Sequence, residues 1–100
     1  DLDVQKVIDA ISGGAAGSWQ LSNLGSRIAA GDFEPGFMVY LQQKDLRLVL
    51  GAANDVKLAL PAVSMAHQFF NIVERAGCSE EGTQALIKAY EAQAGKEARV

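Results

Sequence analysis

The stretch GDFEPGFMVYLQQKDLRLVL, residues 31–50, decides how this chain of 100 residues is organised. Pro35 and Gly36 stand together in it, a pair that is typical of a tight turn. The apolar residues that follow recur at helical spacing and form one stripe: Phe37, Leu41 and Leu48. The stretch therefore predicts a turn that leads directly into a helix, from about Gly36 to Ala53.

Two charged residues, Lys44 and Asp45, flank this stripe. Lys44 follows Phe37 by about 700° of helical rotation, so the two side chains should lie almost in line, with Asp45 about 80° from the ring. Two interpretations remain open. The charges are ordinary surface groups beside a core stripe. Alternatively they form the wall of a ligand site, in which the ring shields a reacting carbon, the ammonium pairs with a negative or hydroxylated group, and the carboxylate orients a polar one.

Other helical patterns surround this one, so the predicted fold class is all-α with about five helices. They are expected at about residues 2–12, at 15–30, from about 60 to 76, and after 79. Pro61 suits the first turn of the fourth helix, and Ser79 is a natural N-cap for the last, with Glu80 and Glu81 in its first turn. The tail from Gly95 has little to bury and should fray. No segment alternates like a strand.

Composition excludes several classes of function. A net charge of −3, with nine scattered basic residues, argues against a nucleic-acid surface. No apolar run approaches the roughly 20 residues that a membrane span requires. With 49% hydrophobic and 21% charged residues, the chain should fold as one domain over residues 1–100.

Residues that commonly carry chemistry are sparse. Cys78 is the only thiol and His67 the only imidazole, so no metal site with the usual ligand spacing can be drawn. A single cysteine fits a reducing compartment, and we expect a cytoplasmic location. His67 has no acid at helical spacing, which favours a partly buried structural role over a general base. The run SGGAAG, residues 12–17, resembles a phosphate loop, but no strand precedes it, so a helix kink or close helix crossing is favoured.

The run from Phe37 to Leu46, F-x6-K-D-L after Pro35 and Gly36, resembles the C-terminal domain of the β-hydroxyacid dehydrogenases. This is the family of 3-hydroxyisobutyrate dehydrogenase and tartronate semialdehyde reductase. The segments GSWQLSNLGSRIAAGDF and LALPAVSMAHQFFNIVERAG resemble the same domain, and the resemblance covers about residues 4–94. It implies the helical domain of a two-domain dehydrogenase, similar to the C-terminal domain of 6-phosphogluconate dehydrogenase.

The resemblance also implies what the rest of such a protein contains. The family has an N-terminal Rossmann domain that binds NAD or NADP, and a connecting helix that carries the catalytic lysine in a GxxGxGxxxKxxNN stretch. Neither is present here, so we expect this chain to be a fragment that is inactive alone. The implied substrate is a small 3-hydroxy acid or its semialdehyde, and the implied assembly is a homodimer or homotetramer.

Four residues match positions that the resemblance assigns to the site. Phe37 and Lys44 are expected to bind the cofactor, and Asp45, Phe37 and Ser18 the substrate. No catalytic residue and no metal ligand is expected within this chain.

A different class of function is also compatible with the sequence: a stand-alone helical oligomerisation or protein-interaction module without catalysis. The segments Leu46–Leu50 and Met65–Val73 are apolar on more than one side, which commonly means that a partner covers them.

Overall fold

The computed structural model describes residues 1–100, which form helices joined by turns. Five α-helices follow in order: α1 Val4–Ser12, α2 Ser26–Ala29, α3 Val39–Asp55, α4 Pro61–Arg75 and α5 Ile87–Ala94. A π-helical stretch, Leu21–Gly25, leads into α2, and a 3₁₀ helix, Thr83–Leu86, leads into α5. There is no strand, and one isolated bridge pairs Met38 with Gly82. The predicted all-α class with about five helices is confirmed.

Local sequence explains where several helices begin. The Asp3 side chain accepts a hydrogen bond from the Lys6 N–H (3.1 Å) at the start of α1. Ser18 Oγ accepts from the Leu21 N–H (3.0 Å), which satisfies a donor that a helix start would otherwise leave free. Pro61 is the first residue of α4, as predicted.

The second helical segment is shorter than predicted. It starts at Trp19 rather than Ala15, because residues 13–16 form a turn. A Cβ atom on Gly17 would lie 2.3 Å from the carbonyl oxygen of Ser12, so only glycine permits this approach of two backbone segments. The glycine run thus serves a close backbone approach.

Helix α3 begins at Val39, and the prediction that it starts at about Gly36 is wrong. The extended backbone of Met38 (φ −77°, ψ 148°) precedes it. Phe37 therefore lies outside the helix, and the predicted stripe is not its buried face. Leu48 is 66% exposed, whereas the buried residues of α3 are Val39, Gln43 and Ala53.

The last helix also begins later than predicted. Ser79 and Glu80 lie in a turn, and α5 starts only at Ile87. The carbonyls of Ser79 and Glu81 accept hydrogen bonds from the first N–H groups of α3 (3.0 and 2.9 Å). This segment therefore caps another helix instead of opening its own.

The core lies between α3, α4 and the segment that leads into α5. Its buried members are Val39, Phe70, Val73, Ala85 and Ala89. Only 11 of 100 residues are buried, so much apolar surface stays open to solvent.

A polar network joins α3 to α4 beside this core. Gln43, which is fully buried, donates to the side chain of Asn71 (2.8 Å) and to the carbonyl of His67 (3.3 Å). Its Oε1 lies 2.9 Å from His67 Nδ1. Because that oxygen can only accept, Nδ1 is the donor of this hydrogen bond. His67 is partly buried and hydrogen-bonded, in agreement with the predicted structural role.

The C-terminal tail is ordered by contacts, and the prediction that it frays is wrong. The Val100 N–H donates to the carbonyl of Ala29 (2.8 Å). The guanidinium of Arg99 forms two hydrogen bonds with the Glu91 carboxylate and stacks 4.8 Å from the centre of the Phe33 ring. Ionic and cation–π contacts replace the apolar burial that the tail lacks.

None of the helices combines the length and the apolar character that crossing a bilayer would take. No group of three or more His, Cys, Asp or Glu side chains is arranged to hold a metal ion.

Candidate functional site

The segment between α2 and α3, residues 31–38, is called the site loop here because it leads to Phe37. It has no regular structure of its own. At its start Gly31 adopts a positive φ of 73°, a conformation that favours glycine. The order of the loop therefore depends on side chains and on neighbouring backbone.

An ion pair fixes the first half of the loop. Arg27 Nε lies 2.8 Å from Asp32 Oδ2, and a second guanidinium nitrogen donates to the carbonyl of Glu34 (2.6 Å). The Asp32 carboxylate also accepts from the Glu34 N–H (3.0 Å). The hydrogen bond from Arg27, followed by that from the Glu34 N–H, lowers the pKa of the Asp32 carboxyl below its usual value.

The segment 82–84 holds the loop from Asp32 to Phe37 through its backbone and the Gln84 side chain. The Gly82 N–H donates to the carbonyl of Phe33 (2.9 Å), and the Thr83 N–H to that of Phe37 (3.0 Å). The Gln84 amide adds two more bonds, to the carbonyls of Asp32 (3.2 Å) and Glu34 (3.1 Å). Sequence reasoning missed these contacts because the segments lie about fifty residues apart.

Lys44 and Asp45 lie on the exposed surface of α3 and pair with each other. Their Nζ and Oδ1 atoms are 3.2 Å apart, and the side chains are 57% and 49% exposed. Phe37, 41% exposed, stands before the helix rather than below Lys44 on it. The heptad alignment that the sequence suggested is therefore wrong, although all three side chains are reachable from solvent.

A groove of about 560 Å³ runs between the segment 18–28 and helices α3, α4 and α5. Apolar side chains dominate its lining, among them Leu24, Leu46, Phe70, Leu86 and Ile87. Of the four predicted site residues, only Ser18 lines it, and the Ser18 hydroxyl already caps a helix. Lys44 stands about 160° around α3 from the groove residue Leu46, since two residues rotate a helix by about 200°. The structure does not bring the four residues together at the groove.

The chemistry of the groove is that of binding rather than proton transfer. Apart from the Tyr90 phenol, no ionisable side chain lines it. General acid–base and nucleophilic catalysis require such a group close to the substrate. The groove alone offers apolar contacts and a few amide and hydroxyl groups.

Comparison with known proteins gives a consistent result. A family profile described as NAD-binding of NADP-dependent 3-hydroxyisobutyrate dehydrogenase matches residues 1–90. An uncharacterized oxidoreductase of Synechocystis is 48% identical over 84 residues, which cover 84% of this chain and 28% of that protein. The probable mitochondrial 3-hydroxyisobutyrate dehydrogenase-like 1 of Arabidopsis thaliana is 43% identical over 90 residues, covering 90% and 27% respectively.

The fold is shared with a solved structure as well. The crystal structure of 3-hydroxyisobutyrate dehydrogenase from Salmonella typhimurium matches with a TM-score of 0.82 and 30% identity, covering 87% of this chain and 30% of that one. The chain thus spans less than a third of the length of each of these relatives. NAD or NADP is the cofactor of the family that the matched profile describes, as the sequence predicted.

Proposed function

This chain belongs to the 3-hydroxyisobutyrate dehydrogenase family, and from that premise we propose that it is the C-terminal helical domain of a two-domain NAD(P)-dependent dehydrogenase. The profile match over residues 1–90 and the fold shared with the Salmonella enzyme support membership of the family, and the C-terminal position rests on the sequence resemblance. The proposed substrate is a small 3-hydroxy acid or its semialdehyde. A Rossmann domain elsewhere in the protein is its proposed partner, and a cytoplasmic location stays a prediction.

In this proposal the exposed end of the site loop and the start of α3 close over the bound cofactor. Lys44 contacts the cofactor through its ammonium, and its pairing with Asp45 at 3.2 Å orients that group while leaving it accessible. Phe37 offers a partly exposed ring to the cofactor or substrate. Ser18 and Asp45 provide polar contacts to the substrate.

The catalytic group lies outside this chain in the proposed enzyme. When bound, the nicotinamide cofactor supplies hydride transfer, and a proton donor or acceptor must act at the substrate hydroxyl. Tyr90 is the only ionisable residue of the groove, and the proposal gives Lys44 and Asp45 binding roles rather than proton transfer. The residues of this chain therefore bind and orient, and the chain alone is inactive.

Steady-state kinetics of the full-length protein test the assignment. Lys44→Ala should raise the KM for the cofactor about tenfold, because a charge-assisted contact is lost. Lys6→Ala is the matched control, since Lys6 lies on exposed α1 and its ammonium forms no ion pair. Equal kinetic constants for the two variants would contradict the role of Lys44, and a wild-type protein without NAD(P)-dependent turnover would contradict the proposed activity.

A second candidate, an oligomerisation module, is favoured by the open apolar surface. Leu48 on α3 and Met65 on α4 are 66% and 61% exposed, within the two segments whose sequence is apolar on several sides. Light scattering after size exclusion separates the cases across a dilution series. A stable species of about 21 kDa, twice the 10.6 kDa of the chain, supports self-association, whereas a monomer at high concentration contradicts it.

A further inference from the structure

The side chain of Gln84 connects the segment before α5 to the site loop. It is 5% exposed, and its Nε2 donates both of its hydrogens, to the carbonyls of Asp32 (3.2 Å) and Glu34 (3.1 Å). No other side chain reaches the carbonyl of Asp32. A buried amide that uses both donors on one loop fixes the position of that loop.

The backbone next to Gln84 extends this connection to the end of the loop. The Thr83 N–H donates to the carbonyl of Phe37, and the isolated bridge pairs Met38 with Gly82. The place of Phe37 and the first turn of α3 therefore follow the place of the segment 82–84.

The absence of a side chain at Gly82 leaves room for the Gln84 amide. A Cβ atom on Gly82 would lie 2.2 Å from Oε1 and 2.8 Å from Nε2 of Gln84. The backbone of Gly82 (φ −65°, ψ 157°) is open to any residue, so conformational freedom does not require glycine there. The need is for room beside the Gln84 side chain.

We infer that Gln84 is a positioning residue of the dehydrogenase site, acting on the cofactor contact of Phe37 through the site loop. This inference rests on the proposed function. Gln84 itself need not touch the cofactor: its amide donors are taken by the loop, and its effect is to hold Phe37 in place before the cofactor arrives. Such preorganisation favours binding without supplying any chemical group.

The test compares Gln84→Met with Gln68→Met in the full-length protein. Methionine keeps the size and loses the donors, and Gln68 is an exposed residue of α4 without side-chain hydrogen bonds. Two measurements are made well below the unfolding temperature: hydrogen–deuterium exchange of the amides of residues 82 and 83, and the kinetic constants for the cofactor. We expect faster exchange and a KM raised about fivefold, with kcat at saturating cofactor nearly unchanged.

Each outcome decides the inference. Faster exchange with a KM equal to that of the control would show that Gln84 stabilises the loop without serving the site, and would overturn it. Unchanged exchange would overturn it as well, whatever the kinetics. Gln84→Glu provides a second variant, in which carboxylate oxygens face the two carbonyls, and it should raise the KM at least as much as methionine. A wild-type protein without turnover would instead refute the proposed function, so the two failures are distinguishable.

Discussion

Replacing Gly82 by alanine should displace the Gln84 amide, and the energetic cost can be worked out from the contacts. The added Cβ would lie 2.2 Å from Gln84 Oε1, so the side chain must rotate away and give up its two hydrogen bonds. At about 1 kcal/mol for each bond, the loss is about 2 kcal/mol. Alanine also restricts the unfolded chain, a gain of about 0.4–1 kcal/mol at a compatible backbone position. The net destabilisation is therefore about 1–1.6 kcal/mol.

A double-mutant cycle isolates this effect. In a Gln84→Ala background no amide remains to displace, so Gly82→Ala should be neutral or stabilising, and the coupling between the two sites should be about 2 kcal/mol. Urea unfolding followed by circular dichroism at 222 nm gives the four free energies. Gly36→Ala serves as the control, because nothing lies within 4 Å of a Cβ there. If Gly82→Ala cost the same in both backgrounds, the argument that Gly82 makes room for Gln84 would be refuted.

Three further predictions concern the turn, the ion pair and the tail. Gly17→Ala forces two backbone segments apart and should destabilise by about 1–3 kcal/mol in urea unfolding, whereas Gly13→Ala enters open space and should not. The hydrogen bond from Arg27 lowers the pKa of the Asp32 carboxyl in the folded protein. The ion pair therefore stabilises the fold above about pH 4, and this stabilisation is lost as the pH falls through the pKa of Asp32 in the folded state. The Tm difference between wild type and Asp32→Asn should therefore shrink between pH 7 and pH 2, and a constant difference would contradict the pairing. Arg99→Met should cost about 2 kcal/mol in thermal unfolding, since it leaves a carboxylate that is only 10% exposed without its partner; an unchanged Tm would show that the tail is not held by this pair.

The helices and the start of α4 were readable from the sequence, but the starts of α3 and α5 were not. The α4 start at Pro61 and its buried Phe70 and Val73 follow from local rules of position and spacing. The start of α3 does not, because the carbonyls that cap its first N–H groups come from residues 79 and 81, about forty positions away. Phe37 therefore precedes the helix, and the stripe that begins with it is not the buried face of α3.

The candidate site was only partly predictable for the same reason. Lys44 and Asp45 were identified from a motif, and whether they bind a cofactor stays a prediction. Gln84 and Arg99 carried no signal in the sequence, since a glutamine and a tail arginine are ordinary surface residues until a distant loop comes into contact. A resemblance to a family points to residues that act, whereas the residues that hold them in place emerge only from the fold.

The small core explains why residues such as Gln84 and Arg99, which fix the position of a loop or tail, are needed for the order of this domain. Of the eight apolar residues that are buried, four are alanines, which contribute little apolar area each. The site loop packs one large side chain, the partly buried Phe33, against that core, and Lys88 at 4.3 Å and Arg99 at 4.8 Å flank the same ring. Besides this packing, the loop is ordered by polar and cation–π contacts, which are directional. Directional contacts fix the position of a loop more narrowly than apolar burial does, which suits a segment whose proposed task is to present Phe37 to a bound cofactor.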